Sequence, residues 1–317
     1  MRALVTGIAG FVGRHLVGEF AQAGYEVHGV DIAAPSDPIP WIAGFHEGDV
    51  LDRAAVADLV GDLRPDVIVH LAGAASVGRS FAEPLRTWNL NLDGTLSLLE
   101  AVRLVHPDAR MLTVTSSEVY GLVDPRDLPV TESTPLRPHS PYGASKAAAD
   151  MAVQQYRAGY GLTVHRVRPF NHVGPGQDTR FLVPSVARQI AVGERDGHDA
   201  TEVHVGNTAT RRDFLDVRDV VRAYRLILES GDPDIPYVVA GGRSLAVQDV
   251  LDLLAAESAT RVHFVSDPAR RREGEQHDLY GSAERLTADT GWTPQYRVTD
   301  TMRDTLDFWR ARVVEEA

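Results

Sequence analysis

Residues 6–13 have the sequence TGIAGFVG, in which three glycines are spaced as GxxGxxG. The stretch follows an apolar run typical of a buried strand and leads into a segment whose apolar residues recur at helical spacing. Glycines at such a turn let the backbone approach a pyrophosphate, which the amides and the positive dipole end of the helix then stabilise. The motif predicts a dinucleotide-binding turn, although three glycines can also serve only to pack a helix on a strand.

Short apolar runs alternate with helical segments through the first half of the chain. Strands are predicted at residues 2–6, 26–31, 66–71, 110–116 and 163–168, with two later strands at 214–217 and 237–239 around a helix at 218–229. Parallel neighbours need crossover connections, so this alternation predicts an α/β fold with a doubly wound, Rossmann-like parallel sheet. A smaller C-terminal α/β substrate-binding domain is expected, because the alternation loosens after about Pro169.

The alternation of strands and helices also predicts where the two domains begin and end. Residues 1–168 and 213–242 are expected to form the dinucleotide-binding domain. Residues 169–212 and 243–317 are expected to form the smaller domain.

Composition excludes several classes of function. The net charge of -12 argues against a nucleic-acid partner, because duplex affinity comes largely from basic side chains. The absence of cysteine excludes disulfides, thiolate metal sites and cysteine nucleophiles, and no metal site is predicted. The first residues lack the pattern of a signal peptide, and no apolar run is long enough to cross a membrane. We therefore expect a cytoplasmic protein without a membrane partner.

Further dinucleotide contacts follow from position. Asp31 ends the second predicted strand about 20 residues beyond the glycines, where a carboxylate binds the ribose hydroxyls of NAD. No arginine occurs at residues 32–36, so NAD(H) is expected to be preferred, with NADP(H) as the second choice. Asp31 could also simply cap the strand. The predicted cofactor contacts are Gly7, Gly10, Phe11, Val12, Gly13, Asp31, Ile32, Asp49, Val50, Leu71, Ala72, Gly73, Tyr142 and Lys146.

Tyr142 and Lys146 lie four residues apart in PYGASK, residues 141–146, and would share one face of a helix. A neighbouring ammonium is expected to lower the pKa of the phenol by stabilising the phenolate, as general acid–base catalysis requires. Lys146 is the only lysine among 32 basic residues, the other 31 being arginine. The position of this single lysine therefore favours a catalytic role over that of a solvated surface side chain.

Ser116 and Ser117 close the strand predicted at residues 110–116. Their hydroxyls are therefore expected at the carboxyl edge of the sheet, where ligands bind in this type of fold. Capping of a local turn is the alternative for either serine.

TGIAGFVG, SSEVYG (116–121) and PYGASK together resemble the extended short-chain dehydrogenase/reductases that modify sugar nucleotides. The resemblance implies that Ser116, Tyr142 and Lys146 are catalytic and that Asn91, in NLDGT, supports the active-site strands. It also implies a nucleotide-diphosphate sugar as substrate and a homodimer formed through helices near residues 92–105 and 144–157, although these helices could equally be covered within one chain.

RPFNHVGPGQ (168–177), RRDFLDVRD (211–219) and GWTP (291–294) resemble the branch of this family that reduces GDP-linked 4-keto-6-deoxymannose. The implied reaction is NAD(P)H-dependent reduction of the 4-keto group, giving GDP-D-rhamnose. Surface ion pairing is the expected role of Arg270 and Arg271. The implied substrate contacts are Ser117, Asn171, Arg212, Arg272 and Glu275.

Other activities stay open at this point. A sugar-nucleotide 4,6-dehydratase uses the same triad with an additional base, for which Glu118 is the candidate catalytic residue. A 4-epimerase would keep its NAD bound and return the hydride to the opposite face. A non-catalytic dinucleotide-binding scaffold is the remaining alternative, since a fold alone does not imply activity.

Overall fold

The computed structural model describes residues 1–270 and 276–316. The strands are β1 (Arg2–Thr6), β2 (Glu26–Asp31), β3 (Ile42–Glu47), β4 (Val67–His70), β5 (Arg110–Val114), β6 (Val164–Pro169), β7 (Asn171–Val173), β8 (Ala200–Val205), β9 (Arg211–Arg212), β10 (Phe214–Asp216), β11 (Pro236–Val239), β12 (Leu245–Ala246), β13 (Arg261–Ser266) and β14 (Asp278–Leu279). The α-helices are α1 (Phe11–Gln22), α2 (Arg53–Leu63), α3 (Val77–Ala82), α4 (Pro84–Trp88), α5 (Gly94–Val105), α6 (Pro141–Tyr160), α7 (Leu182–Arg195), α8 (Val217–Ser230), α9 (Val247–Ala256), α10 (Glu284–Thr290) and α11 (Val298–Glu315).

A seven-stranded sheet forms the centre of the molecule. Its order is β11-β6-β5-β4-β1-β2-β3, and every neighbouring pair is parallel. The order reverses between β1 and β4, which is the position where ligands bind in open parallel sheets. The Rossmann-like fold class is thereby confirmed.

Two strands differ from the sequence-based expectation. β3 was not predicted, because Gly44 and His46 interrupt the apolar pattern of this half-buried edge strand. The run at 214–217 forms β10 but does not join the central sheet: it pairs with β7, with Phe214 opposite Asn171. Only β11, of the two later strands, returns to the central sheet, where it extends the edge beside β6.

Helices cover both faces of the central sheet. On one face, Phe20 of α1 and Tyr224 of α8 are fully buried in one apolar cluster. On the other, a second cluster joins Val60 of α2, Leu98 of α5 and Val153 of α6. Each side chain of this kind stabilises the fold by about 1.5–3 kcal/mol when it is fully buried. The sheet is therefore held between two apolar layers, which leaves its carboxyl edge free for a site.

A third cluster forms the core of a smaller lobe, in which α7, α9 and α11 pack beside β8 and β13. The predicted division into domains agrees with this lobe only in outline. Phe214 packs in the smaller lobe, whereas Leu286 and Trp292 pack in the first core. The domain boundaries remain a prediction.

Candidate active site

Helix α6 begins at the carboxyl edge of the central sheet and is firmly capped. The Ser140 hydroxyl accepts a hydrogen bond from the Gly143 amide at 3.0 Å, and Pro141 occupies the first turn, where its missing N–H costs nothing. Gly161 ends the helix in a left-handed conformation. Local sequence thus fixes where α6 starts and, through helical spacing, sets Tyr142 and Lys146 on one face.

The structure brings Ser116, Tyr142 and Lys146 together. Ser116 follows β5, is 9% exposed, and its hydroxyl lies close enough to the Tyr142 phenol to act on the phenol's pKa. The Lys146 ammonium donates to the Val114 carbonyl at 2.9 Å, so the lysine is anchored to the end of the same strand. Tyr142 and Lys146 are each 8% exposed. The cluster combines a hydroxyl, a phenol and an ammonium in a largely water-excluded place.

The expected lowering of the Tyr142 pKa is wrong for this structure. Burial raises the pKa of the phenol to about 12, and the negative charge of Glu118 acts in the same direction, while the hydrogen bond from Ser116 opposes them. Burial also lowers the pKa of Lys146 to about 8. Removal from water destabilises the charged form of each group. This effect outweighs the stabilisation of the phenolate that was expected from the nearby ammonium. Tyr142 therefore holds its proton at neutral pH.

Glu118 and Ser117 lie in the short helical turn after Ser116. Glu118 is partly exposed, and its amide donates to the Ser116 hydroxyl at 3.2 Å. Ser117 is 4% exposed. Glu118 is close enough to Tyr142 to influence the phenol's pKa, so its carboxylate belongs to the same site.

The glycine turn is tightly packed against the segment after β4. Gly7 has a φ of 70°, and a Cβ there would lie 2.8 Å from the Ala72 amide nitrogen. At Gly13, a Cβ would lie 2.5 Å from the Ile8 carbonyl oxygen. Gly10 gives its amide to the Gly7 carbonyl at 3.1 Å, and Phe11 and Val12 begin α1. Glycine is therefore required here for packing against the protein's own backbone, and the turn leads into the N-terminus of α1, the kind of place where a pyrophosphate binds.

Gly7→Ala should destabilise the protein more than Gly24→Ala, which is a matched control. Both glycines have left-handed φ values, but no atom lies within 4 Å of a Cβ placed on Gly24. We expect the φ change alone to cost about 1–2 kcal/mol and the contact with Ala72 to add about 1–3 kcal/mol for Gly7→Ala. Urea unfolding of both variants measures the difference. Equal losses would show that the turn has room to relax.

Asp31 lies beside the glycine turn, as the sequence suggested. One carboxylate oxygen accepts from the Ala9 amide at 3.0 Å and the other from the Ile32 amide at 2.8 Å. Ile32 itself is 68% exposed. Asp49 is exposed and accepts from the Leu51 amide at 2.9 Å, so its carboxylate initiates the turn before α2.

The remaining predicted cofactor contacts occupy the same edge of the sheet. Leu71 and Ala72 donate their amides to the carbonyl and hydroxyl oxygens of Thr6, at 3.2 and 3.1 Å. Val50 is buried and packs against Gly94 at the start of α5.

Asn91 supports the loop after β4. Its carbonyl oxygen accepts from the Ala74 amide at 2.9 Å, and its amide donates to the Ser145 hydroxyl at 2.8 Å. A Cβ on Gly73, within that loop, would meet the Asn91 carbonyl oxygen at 2.6 Å and the Lys146 ammonium at 3.6 Å. Asn91 thus ties the dinucleotide edge to the helix that carries Tyr142.

The predicted substrate contacts are placed only in part. Asn171 is exposed at the start of β7, and Arg212 is partly exposed in β9, where it donates to the Arg211 carbonyl at 2.7 Å. Arg270 pairs with Asp267 at 3.2 Å, as expected of a surface ion pair. Arg271, Arg272 and Glu275 lie outside the described residues.

His70 and Arg14 contact the glycine turn or the strand before it, although no sequence motif pointed to them: Arg14 donates to the Ala9 carbonyl at 3.1 Å. His70, at the end of β4, hydrogen-bonds the Thr6 hydroxyl at 2.8 Å, and burial lowers the pKa of its imidazole to about 3. Neutral His70 therefore holds Thr6 beneath the glycine turn. In the sequence, His70 could have been found only from its position at the end of a predicted strand. No feature of the sequence pointed to Arg14.

The structure also bears on membrane spans and metal sites. Within residues 1–270 and 276–316, no helix is both long and apolar enough to cross a membrane. In the same part of the chain, no cluster of three or more histidine and carboxylate side chains is arranged to hold a metal ion.

Known proteins resemble this chain along its whole length. The family model described as GDP-mannose 4,6 dehydratase matches residues 4–305. GDP-6-deoxy-D-mannose reductase of Pseudomonas aeruginosa is 38% identical, with 99% of each chain covered. The solved structure of RMD from P. aeruginosa complexed with NADPH superimposes with a TM-score of 0.86 at 36% identity, covering 98% of each chain. UDP-glucose 4-epimerase of Thermotoga maritima, solved with UDP-glucose, gives a TM-score of 0.89 at 28% identity, covering 99% of this chain and all of that one. With a parallel sheet, a glycine turn and a serine–tyrosine–lysine cluster in the expected places, the chain belongs to the GDP-mannose 4,6-dehydratase family of extended short-chain dehydrogenase/reductases.

Proposed function

We propose that the protein reduces the 4-keto group of a nucleotide-linked 4-keto-6-deoxyhexose with NAD(P)H, converting GDP-4-keto-6-deoxy-D-mannose to GDP-D-rhamnose. The observation that carries this proposal is the grouping of Ser116 and Tyr142 with Lys146, which is anchored to Val114 at the carboxyl edge of the sheet. The relative named GDP-6-deoxy-D-mannose reductase, similar over the full length, supports this choice of substrate.

The edge beside this cluster fits a nicotinamide dinucleotide. Gly7 and Gly13 leave no room for a Cβ, so the turn packs closely against the segment after β4 and into the start of α1. The helix end favours a pyrophosphate, and the carboxylate of Asp31 stands where ribose hydroxyls bind. A bound reduced nicotinamide supplies the hydride that the substrate carbon must gain.

Each residue of the serine–tyrosine–lysine cluster has a separate role in the reduction. Tyr142 keeps a proton on its phenol oxygen, because burial raises its pKa to about 12. It can therefore donate that proton to the carbonyl oxygen as negative charge develops there. The Ser116 hydroxyl orients the same oxygen through a hydrogen bond. The Lys146 ammonium, held by Val114, supplies positive charge close to the reacting groups.

Asn171, Arg212 and Arg272 are proposed to contact the nucleotide diphosphate, and Ser117 and Glu275 are proposed as further substrate contacts. Arginine is suited to this role because its planar fork forms two parallel bonds to phosphate oxygens.

A sugar-nucleotide 4,6-dehydratase is the second candidate function. The position of Glu118 favours it, since this carboxylate lies close enough to Tyr142 to raise the phenol's pKa and could remove a proton from the sugar. A 4-epimerase would use the same triad. Both reactions return the hydride to the sugar, so neither consumes reduced cofactor.

We also propose a cellular location and an oligomeric state for the protein. A cytoplasmic location is proposed because a chain without cysteine suits a reducing compartment. A homodimer through α5 and α6 is proposed because Leu104, Met151 and Tyr160 are 53–66% exposed apolar side chains on this adjacent pair of helices.

Incubation with freshly prepared GDP-4-keto-6-deoxymannose tests the function. NADH and NADPH are supplied in separate reactions, absorbance of the reduced cofactor is followed, and the sugar product is identified by NMR. We expect one cofactor oxidised per sugar reduced. Parallel reactions with GDP-mannose and catalytic NAD(P)⁺ test the dehydratase: a 4-keto product there, with no oxidation in the first assay, would replace the reductase proposal.

A further inference from the structure

Arg14 lies at the same corner of the dinucleotide turn as Asp31. It is the fourth residue of α1, and its Nε donates to the Ala9 carbonyl at 3.1 Å. The amide of Ala9 donates to the Asp31 carboxylate at 3.0 Å. Ala9 therefore contacts both side chains: its carbonyl accepts from the Arg14 guanidinium, and its amide donates to the Asp31 carboxylate.

A second carbonyl fixes the Arg14 guanidinium from the loop after β2. Nη2 donates to the Asp37 carbonyl at 3.3 Å. These two bonds hold the fork but use only two of its five N–H donors. The side chain is partly exposed, so the other donors are available to a ligand.

Arg14 has no carboxylate partner in the part of the chain that the structure describes. No carboxylate oxygen of residues 1–270 and 276–316 lies within ion-pair distance of it, although the chain carries 44 acidic residues. Arginines elsewhere commonly have such partners; Arg225, for example, pairs with both Glu19 and Glu229 at 2.7 Å. An uncompensated guanidinium at a predicted ribose-binding corner is suited to an anionic ligand group.

The Asp31 carboxylate is meanwhile engaged by backbone. Its two oxygens accept from the Ala9 and Ile32 amides. These bonds fix the orientation of the carboxylate against the turn.

We propose that Arg14 binds the 2′-phosphate of NADP(H), so that the site accepts NADP(H) as well as NAD(H). The ribose 2′-oxygen lies next to the acidic residue that ends the second strand of such folds, and an arginine nearby is what accommodates a phosphate there. In this chain that arginine comes from helix α1, whereas the sequence showed none in the residues after Asp31. The inference rests on the proposed function, because it assumes that the glycine turn holds a dinucleotide.

Equilibrium binding tests the inference without relying on turnover. The Arg14→Met variant is titrated calorimetrically with NADP⁺ and NAD⁺, and with the fragments 2′,5′-ADP and 5′-ADP. We expect the dissociation constants of the two ligands that carry a 2′-phosphate to rise about tenfold or more, since a charge-assisted hydrogen bond is lost. Those of NAD⁺ and 5′-ADP should change less than about twofold.

Two further variants sharpen the experiment. Arg14→Lys keeps the charge without the planar fork and should bind NADP⁺ with intermediate affinity; it also serves if Arg14→Met does not fold. Arg285→Met removes a surface arginine that pairs with Asp289 and should bind all four ligands as the parent does.

Each adverse outcome has its own meaning. Equal losses for NADP⁺ and NAD⁺, or no loss for NADP⁺, in Arg14→Met would overturn the role of Arg14. A parent protein that binds NAD⁺ but not NADP⁺ would overturn it as well, while leaving a dinucleotide-dependent function intact. A parent that binds neither dinucleotide would overturn the proposed function together with this inference.

Discussion

Tyr142→Phe should lower kcat by about 10²- to 10⁴-fold while dinucleotide binding stays close to that of the parent. The change removes a single oxygen from a buried ring, so packing of α6 is preserved, but the proton that the phenol holds is lost. Ser116 would remain to orient the substrate oxygen without a group to protonate it. Steady-state kinetics with the keto sugar, together with calorimetric titration of the dinucleotide, separates the two effects.

Tyr120→Phe is the matched control for this prediction. Tyr120 is also buried, and burial likewise raises the pKa of its phenol to about 12, but its hydroxyl binds Arg168 at 3.2 Å instead of facing Ser116. We expect this variant to keep most of its turnover. Parent-like kcat in Tyr142→Phe would remove Tyr142 from the mechanism, and an equal loss in both variants would indicate a general effect of buried phenols on the fold.

Asp150→Asn should lower the free energy of unfolding by about 3–5 kcal/mol. Asp150 is fully buried two turns after Tyr142 on the same face of α6, and it pairs with Arg168 at 2.8 Å and with Arg166 at 3.2 Å. Both arginines are only 4% exposed, so the neutral amide would leave two guanidinium charges buried without a counter-charge. Urea unfolding monitored by circular dichroism measures the loss.

Asp234→Asn provides a control of the same chemistry on the surface. Asp234 binds Arg157 through both oxygens, at 2.9 and 3.2 Å, but its side chain is 69% exposed. Water replaces the lost partner there, so we expect a change of about 0–1 kcal/mol. If the two variants lost the same stability, burial would not be what makes the Asp150 pair important.

The local patterns of the sequence predicted much of this molecule. The glycine turn, the end of β2 at Asp31 and the start of α6 before Tyr142 all depend on residues within one strand, one turn or one helix. Their conformations follow from glycine's freedom, from capping and from helical spacing, which act over a few residues. The edge strand β3 was not predicted because its burial depends on its neighbour β2, and its own sequence has only a weak apolar pattern.

Family membership, the central sheet and the grouping of Ser116 with Tyr142 and Lys146 could thus be anticipated before the structure. The pairing of β10 with β7, the rise of the Tyr142 pKa and the contacts of both Arg14 and Asp31 with Ala9 could not. Each of these depends on contacts between segments that are distant in the chain, where burial and distance in space set the energies. The sequence by itself determined which chemical groups the protein carries and on which element each one lies; the tertiary structure decided how much water surrounds them and which charges they meet.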